Sequence, residues 1–274
     1  MKRFLNSGLR VLVRGANDVG SSVAHRLFSA GYSVVIHETL QPTTARRKMS
    51  FTDAVFDSRA TLEGIEARLT NGRSLLRACL VSKCCIPLYT KDFYKLLEAL
   101  HPNVLVDARM RKHLQPENQR GLAPLTIGLG PNFTAGETTD IAIETNWGQS
   151  LGQIIKQGSS TPLQGEPRAI EGHARDRYVY APVAGKFFTA LEIGESVRQG
   201  EEVARIDSSP LAAPISGVLR GLTRSGVSVF PGTKVIEVDP RLQNAQISGI
   251  GERPARIAEG VLSAIQNWEA NHVR

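Results

Sequence analysis

LRVLVRGANDVGSSVAHRLFSAGYSVVIHE, running from Leu9 to Glu38, is the stretch on which the reading of the fold turns. LRVLVR is a short apolar strand, and GANDVG follows it as a turn. In SSVAHRLFSAG, Val23, Leu27 and Ala30 recur at helical spacing, so one face can pack on a sheet, and Gly31 is placed to end the helix. YSVVIHE is the second strand, which completes a β-α-β unit. The pattern predicts an α/β domain over residues 1–150 with a Rossmann-like core.

The turn sets the chemistry that such a domain could perform. In a dinucleotide fingerprint the first glycine makes the tight turn, the second admits a pyrophosphate to the backbone, and the third lets helix and strand pack closely. Gly15 and Gly20 fill the first and third places, and Asn17 stands at the second with a side chain that would crowd a phosphate. Glu38 ends the second strand where an acid would meet a ribose hydroxyl, and Arg14 precedes the turn. Just beyond, Arg46 and Arg47 offer guanidinium forks suited to phosphate or carboxylate, with ordinary surface arginines as the plainer alternative. Further α/β material follows in IPLYT, the helical KDFYKLLEAL, and NVLVDA. The last leads into Asp107 and Arg109 at the expected ligand edge, where the two could equally pair with each other. LTIGLGPNFTAGETTDIAIET then brings Gly128, Gly130 and Asn132 between two apolar strands, either as a backbone-rich binding loop or as a structural turn.

The second half carries an internal repeat. APVAGKFFTALEIGESVRQGEEV from Ala181 aligns with APISGVLRGLTRSGVSVFPGTKV from Ala213 at one constant offset, which pairs Gly185 with Gly217, Val197 with Val229 and Gly200 with Gly232. Alternating strands between glycine turns, in two copies only, predict a closed quasi-two-fold barrel over 175–241. The pattern resembles the barrel-sandwich hybrid of biotinyl and lipoyl domains. In those carriers a lysine occupies the hairpin between the halves; here that joint is RIDSSPLA, with Asp207, Ser208, Ser209 and Pro210 at its tip, so no swinging covalent cofactor is expected. Over 242–274 a tail is expected to contain a helix with Ile257, Val261, Ile265 and Trp268 on one face, docking either on its own protein or on a partner.

Composition narrows the function classes. The formal charge is +7, from 33 Lys and Arg against 26 Asp and Glu, and Lys2, Arg3, Arg10, Arg14, Arg26, Arg46, Arg47 and Lys48 concentrate it at the front. No nucleic-acid module or aromatic stacking pattern accompanies that charge, so a phosphorylated small ligand or an acidic protein partner is expected rather than nucleic acid. No apolar run reaches membrane-spanning length, the basic start lacks a signal-peptide core, and Cys79, Cys84 and Cys85 form no disulfide framework. A cytoplasmic, membrane-free protein is the expectation. The six histidines, His113 among them, show no metal-ligand spacing, so no metal site is expected. No nucleophile motif is present and no catalytic residue is nominated. Cys84 and Cys85 could handle sulfur or selenium as thiolates, with buried or incidental cysteines as the commoner case.

Taken together, RGANDVGSSVAHRLFSAGY, the P-x-x-x-RR-x-x-SF-x-x-AV run from Pro42 to Val55, VDARM from Val106, IGLGPNFTAG from Ile127, IET at Ile143, GVLRGL from Gly217 and VDPR from Val238 resemble the YqeB-type family of accessory proteins for selenium-dependent molybdenum hydroxylases. The resemblance implies a role in maturation: insertion or modification of a molybdenum cofactor in a partner hydroxylase subunit. The candidate ligands are then a molybdopterin-type cofactor or, from the turn itself, NAD(P). Alternatives of another class are an NAD(P)-dependent oxidoreductase and a non-catalytic assembly adaptor. The chain departs from the family pattern at Asn17 and Asn132, where glycines are expected. It departs again at Asn146, Trp147, Gly148 and Gln149, where the family tends toward Arg-Gly-His.

Overall fold

The structure is a computed structural model that describes residues 8–111, 114–163 and 167–272. Lys2, Arg3 and His113 lie outside the described residues. The first half alternates strands and helices: β1 (Arg10–Arg14), α1 (Asp18–Ser29), β2 (Ser33–His37), α2 (Ala54–Asp57), β3 (Arg59–Leu62), β4 (Ile65–Leu69), α3 (Arg73–Ser82), β5 (Ile86–Tyr89), α4 (Phe93–Leu100) and β6 (Val104–Asp107). β7 (Leu125–Leu129), β8 (Thr134–Ala135), β9 (Ile141–Ile143), β10 (Ile154–Ile155) and β11 (Gly158–Ser159) follow. Nine of these strands form one sheet in the order β10-β9-β7-β6-β1-β2-β5-β4-β3. Its interior pairs are parallel, whereas β3 and β10 close the two edges antiparallel.

The central strands are buried on both faces and read as continuous apolar runs, as parallel strands covered on both sides must. One face is covered by α1 and by the last helix, α5 (Glu252–His272). Val19, Val23 and Leu27 of α1 share a core with Ile257, Val261 and Ile265 of α5, and Trp268 packs partly buried against it. Each such aliphatic side chain contributes about 1.5–3 kcal/mol on burial, so α5 is an integral layer of the sheet's cover. The opposite face packs on Leu76, Phe93, Leu96 and Leu100 from α3 and α4.

The remaining strands are β12 (Tyr178–Tyr180), β13 (Gly185–Phe188), β14 (Ser196–Val197), β15 (Glu202–Ile206), β16 (Ser209–Ala212), β17 (Gly217–Leu222), β18 (Ser228–Val229) and β19 (Lys234–Asp239). They build two four-stranded antiparallel sheets, β12-β19-β17-β14 and β16-β15-β13-β18. The two copies of the repeat interleave. Gly185 of the first pairs with Val229 of the second, and Val197 of the first pairs with Gly217 of the second, so equivalent positions make equivalent pairs. The joint between the copies is the β15–β16 hairpin, which turns at Asp207 and Ser208 with Asp207 at φ 50°.

This architecture corrects the expected Rossmann-like domain followed by a biotinyl/lipoyl-like barrel-sandwich. The first sheet is a nine-stranded mixed sheet, because the Arg59–Leu69 hairpin adds two strands beyond β5 and β10 adds an antiparallel strand beyond β9. The repeat, in turn, makes two antiparallel sheets that recruit β12 from outside it and turn toward the first sheet. There Leu222 N donates to Ala45 O at 2.8 Å, Arg47 Nε to Leu222 O at 2.8 Å, and Lys48 Nζ to Ile193 O at 2.6 Å. Periodicity within a strand says nothing about which distant strand lies beside it, so neither the sheet edges nor this junction was readable from it.

Candidate functional site

The carboxyl ends of the parallel strands bring several of the expected residues together. Strand register sets Arg14 of β1 beside His37 of β2 and Asp107 of β6, and Asp107 beside Gly128 of β7. The order along the sheet departs to opposite sides from β1 here, where ligand crevices form in open α/β sheets. Arg109 Nε donates to Asp107 Oδ1 at 2.9 Å, and its Nη2 donates to Glu117 Oε1 at 2.7 Å. Arg14 Nη1 donates to Glu117 Oε1 at 3.2 Å and to Gln119 Oε1 at 3.1 Å. Arg111 closes on the other Glu117 oxygen. The Arg14 guanidinium carbon lies 3.8 Å from the Phe93 ring centroid, and Phe93 meets the His37 ring edge-on at 5.3 Å.

Three guanidinium groups therefore share two carboxylates. Arg14 is 9% exposed, and its Nε is buried with no hydrogen-bond partner among the described residues. Burial and the neighbouring Arg109 push the Arg14 pKa down, and burial does the same to His37. Against its own burial, hydrogen bonds from Arg111 and Arg109 hold the Glu117 carboxyl well below the usual range. Glu117 and Gln119 lie in an irregular segment after β6 and were not singled out from the sequence. Only proximity to a charged strand end marks them.

At the glycine turn, Gly15 adopts φ 106°, and a Cβ there would lie 2.9 Å from Ala108 O. A Cβ on Gly20 would lie 2.0 Å from Gly15 O, so close helix–strand packing demands glycine at both places. Asn17 is the N-cap of α1: its Oδ1 accepts from Val19 N at 3.0 Å and Gly20 N at 3.1 Å, while its Nδ2 donates to Ala108 O at 2.8 Å. Glu38 folds back on the turn, accepting from Ala16 N at 2.6 Å and Thr39 N at 2.7 Å. The donors that a pyrophosphate would use at this helix end are thus engaged by the chain itself. On the far strands, a Cβ on Gly128 would strike the Phe133 ring, Gly130 has φ 114°, and Asn132 takes φ 74° while donating to Leu114 O at 3.1 Å. β7 and β9 are parallel, so the glycine-rich segment is a crossover and not a hairpin.

Arg46 and Arg47 lie elsewhere, at the junction with the C-terminal β sheets. Arg46 donates through Nε and Nη2 to Glu237 at 2.8 and 2.9 Å and through Nη1 to Asp18 Oδ2 at 2.9 Å. Arg47 Nη1 donates to Asp53 at 2.9 Å. Glu237 is 0% exposed and also accepts from Arg177 at 2.6 Å, Lys234 at 3.1 Å and Arg220 at 3.2 Å. Against desolvation, which raises it, Arg46 and Lys234 hold the Glu237 carboxyl far below the ordinary range. This buried knot was not foreseen. Its members are spread from Asp18 to Lys234 and Glu237, and no local spacing connects them.

The cysteines sit apart from both clusters. Cys79 and Cys85 are buried and Cys84 is exposed, with its Sγ 3.8 Å from Cys85 Sγ. Among the described residues no group of three or more His, Cys, Asp or Glu side chains is placed to hold a metal ion, and no helix is long and apolar enough to cross a membrane.

No protein-family profile matches the chain. Among solved structures, the product-bound ectoine utilization protein EutE (DoeB) from Ruegeria pomeroyi aligns at 13% identity over 85% of this chain and 86% of that one, with a TM-score of 0.27. A succinylglutamate desuccinylase/aspartoacylase from Rhodobacter sphaeroides aligns at 17% identity over 85% of each chain, with a TM-score of 0.26. Scores this low define no common fold. In sequence, the chain is 37% identical over 256 residues to the uncharacterized protein YqeB of Escherichia coli strain K12, a match that covers 93% of this chain and 47% of YqeB. The chain is thus a YqeB relative, matched over about half of that protein's length.

Proposed function

We propose that the chain is a cytoplasmic accessory protein in the maturation of a molybdenum hydroxylase, and that it binds a phosphorylated, molybdopterin-type cofactor at the carboxyl edge of the nine-stranded sheet. The maturation role and the hydroxylase subunit as partner rest on the sequence resemblance to YqeB-type accessory proteins. The observation that carries the ligand reading is Arg14: a guanidinium on the Phe93 ring, nearly buried, with Nε unpartnered, in a group of three arginines that share two carboxylates. A phosphoryl group brings about −1.5 to −2 charges near pH 7 and several acceptor oxygens, which would satisfy the unused donor and the surplus charge. A nicotinamide dinucleotide fits less well. Asn17 occupies the N–H groups that its pyrophosphate would need, and Glu38 is turned onto Ala16 N.

Titration calorimetry of the full chain with molybdopterin, NADH and nucleoside phosphates tests this reading. Molybdopterin should bind, and Arg14→Gln should weaken it at least tenfold with the fold retained. Binding that is unchanged in Arg14→Gln, or a preference for NADH over the pterin, would overturn it.

A further inference from the structure

The knot around Glu237 has more cationic donors than protein acceptors. Arg46 is fully committed to Glu237 and Asp18. Arg177 gives Nη1 to Glu237 and Nη2 to the Tyr178 hydroxyl, while its Nε is buried with no partner. Arg220 gives Nη1 to Glu237 and Nε to Gln246 O. Among the described residues Lys234 makes one hydrogen bond, to Glu237 Oε2, so two of its three ammonium donors find no acceptor there. Arg253, near the start of α5, donates Nε to Thr145 O at 2.7 Å, and neither of its Nη groups is bonded to an acceptor among the described residues. Lys234 and Arg253 both act on the same neighbour, the Asp18 carboxylate at the start of α1.

The charges do not cancel. Arg46, Arg177, Arg220, Lys234, Arg241 and Arg253 face Asp18, Glu237, Asp239 and Glu144, which is six cations against four anions and a surplus of two. Glu144 has little left to offer these cations, because its oxygens accept from the backbone N–H groups of Thr145, Asn146 and Thr161. The surplus is walled by α1, β12, β19 and α5, yet the Lys234 side chain keeps 33% of its surface exposed and those of Arg46 and Asp18 keep 20% each. Solvent therefore reaches charged groups that are held among several elements. Uncompensated charge in such a place is costly without a counter-ion.

We propose that this cluster is a second anion site, which takes a phosphoryl group beside Lys234 and Arg253. Its charge of about −2 matches the surplus of two. A ligand seated there touches β19 on one side and the α1–α5 layer on the other, so it clamps the C-terminal β sheets to the nine-stranded sheet. The site shares no residue with the Arg14 cluster and stands or falls separately from it. The Tyr178 ring, 4.6 Å from Lys234 Nζ and 4.3 Å from the Arg177 guanidinium carbon, holds the two cations in place.

The test titrates inorganic phosphate, pyrophosphate and a nucleoside 5′-monophosphate into the full chain, followed by calorimetry and thermal unfolding. The wild type should bind at least one of the three in the presence of chloride and gain melting temperature. Lys234→Gln with Arg253→Gln should weaken that binding at least tenfold, whereas Arg14→Gln should leave it intact. Inorganic phosphate bound as tightly as the ester identifies the free anion as the ligand; tighter binding of the ester identifies the phosphorylated molecule. Burial pushes the Lys234 ammonium down, and an anion beside it raises it again, so binding in alkaline buffer should take up protons, read from the buffer dependence of the heat. If the double variant does not fold, the wild type decides through proton uptake and the rise in melting temperature. Absence of both, or binding that survives the double substitution, overturns the proposal.

Discussion

Replacing Glu237 by glutamine removes one negative charge and keeps the shape, in a position that is 0% exposed and receives Arg46, Arg177, Arg220 and Lys234. The carboxylate is the common acceptor of four cations, and the glutamine amide would turn one donor toward them. Breaking a buried ion pair from one side costs about 3–5 kcal/mol, because the remaining charge stays buried and uncompensated. For a chain of this size about 1 kcal/mol corresponds to roughly 2–4 °C, so Glu237→Gln should lower the melting temperature by about 10 °C. The loss should shrink when phosphate is added, if that anion enters beside Lys234. The pH dependence has a definite sign. The folded-state value of Glu237 is depressed, so its contribution is complete above the ordinary carboxylate range of about 4 and disappears as the pH falls through the depressed value. Circular dichroism melts of wild type and variant from about pH 7 down to about pH 3 should therefore converge toward acid. A variant that melts within 2 °C of the wild type at neutral pH, or a gap that widens in acid, would refute the reading of this knot as the electrostatic centre of the junction.

Three further outcomes follow from local geometry. Gly260→Ala places a Cβ 2.1 Å from Gly152 O, so α5 must shift away from the turn it packs on; chemical denaturation should show a loss of about 1–3 kcal/mol. Asn17→Ala removes the cap on Val19 N and Gly20 N and the bond to Ala108 O, and should cost about 1–2 kcal/mol by the same assay. Alkylation followed by peptide mass spectrometry should label Cys84 well before Cys79 and Cys85. Cys84 is exposed and the Ser82 hydroxyl lowers its pKa, while burial keeps the Cys85 thiol protonated.

The β-α-β unit was legible because each of its elements has a short-range cause: apolar runs for β1 and β2, helical spacing for α1, and glycines where no Cβ fits. The repeat was legible as a spacing, and it reappears as the matched pairs Gly185 with Val229 and Val197 with Gly217. Lost to a linear reading were the edges of the first sheet. The Arg59–Leu69 hairpin turns through Glu63 and Gly64, both at positive φ, without the Asn-Gly or Asp-Gly pair that announces such turns. The roles of charged residues were harder still. Arg14, Asp107 and Arg109 were placed at one edge by strand ends alone, and there the structure brings them together. Arg46 was read as a guanidinium fork for phosphate or carboxylate, but its partner Glu237 lies 191 residues away and was invisible to any local pattern. Asn17 was weighed as an obstacle to phosphate; its capping bonds give it a structural task of its own.

The packing of α5 on α1 also constrains how the molecule is made. Val19, Val23 and Leu27 are covered by Ile257, Val261 and Ile265, so a growing polypeptide carries the apolar flank of α1 uncovered until the residues from Ile257 onward have been synthesised. Contacts of such sequence separation close late and at high entropic cost. A nascent chain stalled before residue 252 would therefore expose a ready-made binding surface for chaperones, and a fragment lacking α5, however complete its two groups of strands, would face water with the hydrophobic stripe that α5 otherwise covers.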